Sequence, residues 1–156
     1  GFHERKDILF VGGFFAGSDS PNEDAILYFA KEVFPKIQRA LLCRLFIVGS
    51  NPTESVKRLS SSLIVVTGTV KNLDEYYERC RVFVVPHRYA AGISWKLQEA
   101  MGHGIPSVIS TLIASQLHLK DGSEVLIANN SDEFVRKVIE LYQDEELWAE
   151  VRKNAT

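Results

Sequence analysis

At 156 residues the chain has room for one domain with a proper core, and its composition, 46% apolar and 24% charged, is that of an ordinary globular protein. The 18 Lys and Arg against 20 Asp and Glu leave a formal net charge of −2 with no basic block, which removes any electrostatic case for nucleic acid or an anionic membrane as partner. All apolar runs fall far short of the roughly 20 residues of a membrane span, and no signal-peptide pattern opens the chain.

Ile8 to Val11 is a short apolar run ending in Gly12 and Gly13, which predicts a first strand and turn. Pro21 to Asp24 opens a helix, with Ser20 or Asn22 as cap and acids in the first turn. Ala25, Ile26, Phe29, Val33 and Ile37 recur at helical spacing, while Pro35 predicts a break late in that helix. Leu45 to Val48 is a second strand, closed by Gly49, and a short helix from about Thr53 to Leu59 follows. Leu63 to Val66 is a third strand closing on Thr67 to Val70, Leu73 to Arg79 a brief helix, and Val82 to Val85 a fourth strand. A helix from about Ser94 to His103 precedes a fifth strand, Ser107 to Ile109. Thr111 to Lys120 reads as irregular or loosely helical, Glu124 to Ala128 as a sixth strand. Ser131 is the expected cap of a helix carrying Phe134, Val138, Leu141 and Tyr142 inward, and Asp144 begins a last helix running to Asn154. Continuous apolar strands alternating with helices predict an α/β fold, a Rossmann-like, doubly wound parallel sheet of about six strands covered on both faces. The chain begins with Gly and stops on Thr156 straight out of a helical pattern, so a fragment of a longer protein is expected.

The stretch from Arg88 to Thr111 concentrates the chemistry. It leaves the C-terminal end of a strand through a glycine-bearing loop and enters a helix, where such folds bind ligands and where helix N-termini favour anions. Lys96 and Glu99 stand in the first two turns of that helix, three apart and so on roughly one face. A cation suits phosphate and a carboxylate suits sugar hydroxyls. Gly13, Gly49, Gly68 and Gly92 follow strands one to four and are expected along one edge, either letting backbone approach a ligand or simply turning the chain. The first turn is not G-x-G-x-x-G, no acid ends the second strand, and neither a P-loop nor a G-x-S-x-G elbow occurs. Cys43 and Cys80 read as buried free thiols, and the four histidines show no metal-ligand spacing.

Taken together, Ile8 to Gly12, Pro21 to Phe29, Val33 to Pro35, Leu45 to Pro52, Val66 to Val70 and Val84 to Pro86 form an ordered series. Arg88 to Ile93, Lys96, Glu99 to Met101, Gly104 to Pro106, Asp121-Gly122 and Leu126 to Ala128 continue it. In that order and spacing the chain resembles the C-terminal, donor-binding domain of a retaining family-4 (group 1) glycosyltransferase of the two-domain GT-B architecture. The resemblance implies a hexosyltransferase-type enzyme of carbohydrate biosynthesis that uses a nucleotide diphosphate sugar as donor, with no metal and no further cofactor. The acceptor would be held by an N-terminal domain upstream of Gly1, so that the fragment alone would be inactive. It also implies a cytoplasmic protein, at or off the inner membrane face, with any membrane-facing surface in the upstream half.

The resemblance further implies that Glu99 holds the ribose hydroxyls. The family's first glutamate, eight positions earlier, is replaced here by Ala91, which leaves the sugar-contacting role and the catalytic residues unassigned. Lys96 would face the diphosphate, with Arg88 assisting or ordering the loop; the other donor contacts would be Gly12, Gly13, Gly92, Ile93 and Ser94. The base would lie against Thr67 to Val70. Each charged residue has a plainer alternative: Glu99 and Lys96 as solvated surface groups, Arg88 as an ion-pair partner. Trp95 is expected to pack rather than stack on a base. Two other functions stay open, a sugar-nucleotide epimerase with His87 and His103 as its acid–base candidates, and a degenerate binding or interaction module.

Overall fold

The computed structural model of the chain describes residues 1–15, 20–89 and 94–156. Six strands, β1 (Ile8–Val11), β2 (Leu45–Val48), β3 (Ile64–Gly68), β4 (Val82–Val85), β5 (Ser107–Ser110) and β6 (Leu126–Ala128), form one parallel sheet in the order β3-β2-β1-β4-β5-β6. Every residue of β1, β2, β4 and β5 is buried, as continuous apolar strands covered on both faces must be. Alternation divides their side chains. Ile8, Phe10, Leu45, Ile47, Val82 and Val84 face one layer, where α1 (Pro21–Tyr28), α2 (Phe34–Gln38), α7 (Ser131–Gln143) and α8 (Glu145–Ala155) pack. Leu9, Val11, Phe46, Val48, Phe83 and Val85 face the other, covered by α4 (Leu73–Arg79), α5 (Ser94–Gly102) and α6 (Thr111–Leu117). This is the doubly wound architecture expected from the sequence.

Local chemistry sets the element ends. Ser20 caps α1, its hydroxyl accepting from the Glu23 N–H at 3.1 Å, and Asn22 does not act as the cap. All five residues of the anticipated apolar stripe are buried. The break foreseen at Pro35 takes the form of a wide π turn, Phe29–Val33, from which α2 restarts with Pro35 in its first turn, where a missing N–H costs nothing. The second helix is shorter than expected: α3 covers only Glu54–Lys57, capped by Thr53.

Of the two readings of Thr111 to Lys120 the helical one holds, over Thr111–Leu117, because the Ser110 hydroxyl caps the Ile113 N–H and Ile113 and Ala114 bury themselves on β5's layer. Asn130, not Ser131, caps α7; its side chain accepts from the Glu133 N–H at 2.9 Å, and Ser131 becomes the first helical residue. Asp144 caps α8 as anticipated.

Below the sheet, buried Arg5 donates to Tyr77 O and His103 O, both at 2.7 Å, and so fastens the C-terminal ends of α4 and α5. The opposite end of α5 is thereby held up against the C-terminal edge of the sheet.

Candidate functional site

In this strand order the chain runs outward from β1 to β2 and β3, then crosses back to place β4 on β1's other side. The C-terminal ends of β1 and β4 are therefore the switch point of the sheet, where open α/β folds form their ligand crevice. Four residues meet at its base: Gly13 after β1, Asn22 in α1, His87 after β4, and Lys96 in the first turn of α5. Asn22 Nδ2 donates to Gly13 O at 2.6 Å, and its Oδ1 lies 2.7 Å from His87 Nε2. With the amide nitrogen spent on a carbonyl, Oδ1 is the acceptor and His87 Nε2 carries the proton.

His87 is almost completely buried, 1% exposed, and stacks on Phe10 with ring centroids 5.8 Å apart. Its own carbonyl accepts from the Ser110 hydroxyl at 2.6 Å. Burial first, then the Lys96 ammonium, push its pKa down to about 4, against a smaller opposing pull from Asp24. The folded value lies below the ordinary 6.5, so the unfolded chain takes up the proton first. This contribution to stability is therefore full above about pH 6.5 and lost as pH falls toward about 4, and is worth on the order of 3 kcal/mol. The urea midpoint of the wild type is expected to fall between about pH 7 and about pH 4.5, and His87→Gln is expected to flatten that fall. An equal fall in both proteins would assign the acid sensitivity to other groups.

Lys96 is buried as well, 8% exposed, although lysine rarely is. Leu97 and Ala100 press α5 onto the sheet, and the Lys96 side chain shares a small cavity with Val11, Phe83, Val85 and His87. Burial lowers its pKa, and among the described residues no carboxylate forms an ion pair with it. The first turn of α5 holds no acid, so the helix dipole and the ammonium present positive charge together. Trp95 stands 52% exposed instead of packing, since it occupies the α5 face turned from the sheet; the Lys96 ammonium lies 5.7 Å from its ring centre.

One turn further along α5, Glu99 is exposed. The spacing of three thus straddles the edge of the buried face, putting Lys96 inside it and Glu99 on its rim. The Tyr77 hydroxyl donates to Lys96 O at 3.5 Å; burial first, and the neighbouring Glu99 carboxylate second, push the phenol's pKa up. Tyr77 is itself fully buried and stacks on His103 at 5.5 Å. His103 lies at the far end of α5, 3.1 Å from Asp74 and 2.9 Å from Glu78, so of the two histidines near this helix only His87 reaches the crevice.

The remaining sequence candidates divide. The Gly12 N–H continues the ladder to Val48 O at 2.9 Å, which leaves the Gly13 N–H as the one of that pair without a partner among the described residues. Thr67 donates to Gly68 O at 2.9 Å, and Gly68 adopts φ +70°, turning the end of β3 toward the same edge; Val70 packs beneath. Arg88 grips Asp24 of α1 in a two-pronged pair at 2.6 and 3.0 Å and lies over the Tyr28 ring. Ser94 opens α5. Ala91, Gly92 and Ile93 lie outside the described residues. Both cysteines are buried free thiols whose pKa values burial raises to about 12, as inert structural groups.

Asn22 and the burial of His87 are what sequence reasoning missed. An Asn next to an N-terminal Pro reads as capping chemistry, and the partner that gives it another role lies 65 positions away. Among the described residues no group of three or more His, Cys, Asp or Glu side chains could hold a metal ion, and no helix is long and apolar enough to cross a membrane.

A helix N-terminus and an unpaired buried cation at the switch point of a doubly wound sheet define a Rossmann-like domain able to receive an anion. The family profile described as "Glycosyl transferases group 1" matches residues 5–144, and the chain belongs to that family. Among curated proteins no sequence matches. Among solved structures, TarM from S. aureus, in complex with fondaparinux, alpha-GlcNAc-glycerol and UDP, superposes with a TM-score of 0.77 at 16% identity, over 97% of this chain and 31% of TarM. The C-terminal domain of the group 1 family glycosyl transferase LpcC from Francisella tularensis gives 0.73 at 14% identity, over 97% of this chain and 83% of that one. HepE from Anabaena, in complex with UDP and glucose, gives 0.70 at 13% identity, over 99% of this chain and 43% of HepE. At such identities the likeness is one of fold, and this chain spans less than half of TarM or HepE.

Proposed function

We propose that this domain binds the donor of a retaining, metal-independent sugar transfer: a nucleotide diphosphate sugar, with no further cofactor, whose diphosphate sits at the β1/β4 crevice. The observation that carries the reading is Lys96, a buried ammonium without a carboxylate partner among the described residues, standing in the first turn of α5. Desolvating an unpaired cation is costly, and an anionic ligand repays it. As the glycosidic bond breaks, negative charge gathers on the departing nucleoside diphosphate; a fixed ammonium, the N-terminal N–H groups of α5 and the Gly13 N–H stabilise it as it forms. That is the work a metal ion would otherwise do.

Glu99, on the rim beside Tyr77, accepts hydrogen bonds from the ribose diol, for which an acceptor-only carboxylate is suited. The base lies along Thr67 to Val70, where the left-handed Gly68 brings backbone to the edge. Gly92, Ile93 and Ser94 are the further phosphate contacts that the resemblance implies, and Arg88 is occupied by Asp24. The acceptor is held by an upstream domain of the same cytoplasmic protein, at or off the membrane face. The UDP named for TarM and HepE supports this reading.

Titration with UDP, GDP and ADP, followed by amide shifts, tests it. One nucleotide is expected to bind and to move the segment from Gly92 to Glu99, and Glu99→Ala is expected to weaken it about tenfold. If neither this chain nor the full-length protein binds any of the three, the donor site does not exist.

A further inference from the structure

His87 is held on three sides: Phe10 against its ring, Ser110 on its carbonyl, and Asn22 on Nε2. The last contact also decides its tautomer. Asn22 gives its amide hydrogen to Gly13 O and offers only an oxygen to the imidazole, so Nε2 bears the hydrogen and Nδ1 a bare lone pair. That lone pair is buried and has no hydrogen-bond partner among the described residues. It is thus an acceptor waiting for a donor.

The cavity beside it is lined by Val11, Phe83, Val84, Val85, His87 and Lys96. Four of the six are hydrocarbon. Apart from His87 itself, the Lys96 ammonium is the one side chain of that lining with a proton to give, and it too is desolvated, with no ion-pair or hydrogen-bond partner among the described residues beyond its contact with the Trp95 ring. A buried acceptor without a donor is costly, and a buried ammonium costs more; a bond between the two relieves both.

We propose that His87 is a positioning residue for Lys96, its Nδ1 lone pair receiving the Lys96 ammonium and fixing where that cation stands in the crevice. The inference rests on the reading of Lys96 as the diphosphate's cation and adds what directs it. It also gives the Asn22 bridge a purpose. Gly13 O, Asn22 and His87 are already linked, and the proposed bond carries that link on to the cation of α5, which sets the two sides of the crevice relative to each other. The other charged group acting on His87 is Asp24, whose carboxylate is already engaged by Arg88. A neutral imidazole serves here where a carboxylate would not: it orients the ammonium without neutralising the charge meant for phosphate.

Two variants separate this role from simple support. Asparagine places an amide oxygen near the position of Nδ1, whereas glutamine reaches toward Asn22 as Nε2 does and leaves the δ position empty. Lys96 is titrated in the unliganded chain by its side-chain ¹³Cε shift, and UDP affinity is measured alongside. His87→Gln is expected to raise the Lys96 acid dissociation constant about tenfold and to weaken UDP about tenfold, whereas His87→Asn is expected to stay within about threefold of wild type on both.

Identical Lys96 titration in all three proteins would overturn the proposal, as would weakening by Asn alone, which marks the Asn22 bridge as mere support. Should the Asn variant fail to fold, long-range ¹⁵N correlation on the wild type decides: protonation at Nε2 is required, and protonation at Nδ1 overturns the idea. A shifted Lys96 titration in a protein that binds no nucleotide would uphold the positioning role while sinking the donor-site reading.

Discussion

Lys96→Met is expected to weaken nucleotide binding about a hundredfold while leaving the domain as stable as before, or more so. The two halves of this result come from one cause. Lys96 is 8% exposed in a cavity walled by Val11, Phe83 and Val85, and burial alone lowers its pKa, with no compensating charge acting on it. In the unliganded protein the desolvation of that ammonium outweighs one bond to a neutral imidazole, and a methionine of similar length fills the same space with atoms the cavity favours. In the proposed complex the ammonium would face a diphosphate in a partly desolvated crevice. A charge-assisted contact there is worth about 2–3 kcal/mol, which is the hundredfold. Calorimetric titration with UDP and a urea melt on the same sample read both halves. A Met variant that binds as tightly as wild type would remove Lys96 from the site. One that loses stability and affinity together would make it a structural residue, packed for its stem rather than its charge.

Much of the fold was legible because a parallel sheet is built from features that sequence displays directly. Strands buried on both faces are continuous apolar runs, as at Leu45 to Val48 and Val82 to Val85, and Gly49 after the first and Pro86 after the second mark where they stop. The errors fall where two adjacent residues compete for one role. Asn130 and Ser131 can both cap; the one whose backbone is extended, Asn130 at φ −155°, takes the position. Thr111 to Lys120 reads as irregular or loosely helical, and a cap supplied by the last residue of β5 decides for helix when two apolar side chains face the sheet.

The site was legible in its elements and not in its depth. Lys96 and Glu99 were readable as a pair, whereas which of them lies beneath the surface depends on how α5 is rolled against β4 and β5. That roll is set by Leu97 and Ala100 on one side and by the Arg5 anchor at the helix's other end, tertiary facts with no local signature. His87 shows the same limit. Nothing in a histidine after a Pro reveals that Phe10, 77 positions earlier, closes over it.

Gly49→Ala is expected to destabilise the domain by about 3 kcal/mol or more, enough to lower the melting temperature by roughly 6–12 °C in a chain of this size. A Cβ at that position would stand 1.5 Å from Gly12 O and 2.5 Å from Gly12 C, and these are backbone atoms that cannot swing aside. They are also tied in place: Gly12 N–H donates to Val48 O and Gly49 N–H to Gly68 O, so the ends of β1, β2 and β3 are laced together through three glycines. Making room means pulling the β1 and β2 loops apart, and the Gly13 carbonyl that anchors Asn22 moves with them. Loss of nucleotide affinity is therefore expected in whatever fraction remains folded. Gly68→Ala is the control. It has φ +70° but no heavy atom within 4 Å of the added Cβ, so it should cost only the left-handed penalty of roughly 1–2 kcal/mol. If thermal melts give the two variants equal losses, the backbone contact between β1 and β2 is not the constraint, and glycine at 49 serves its dihedral angles alone.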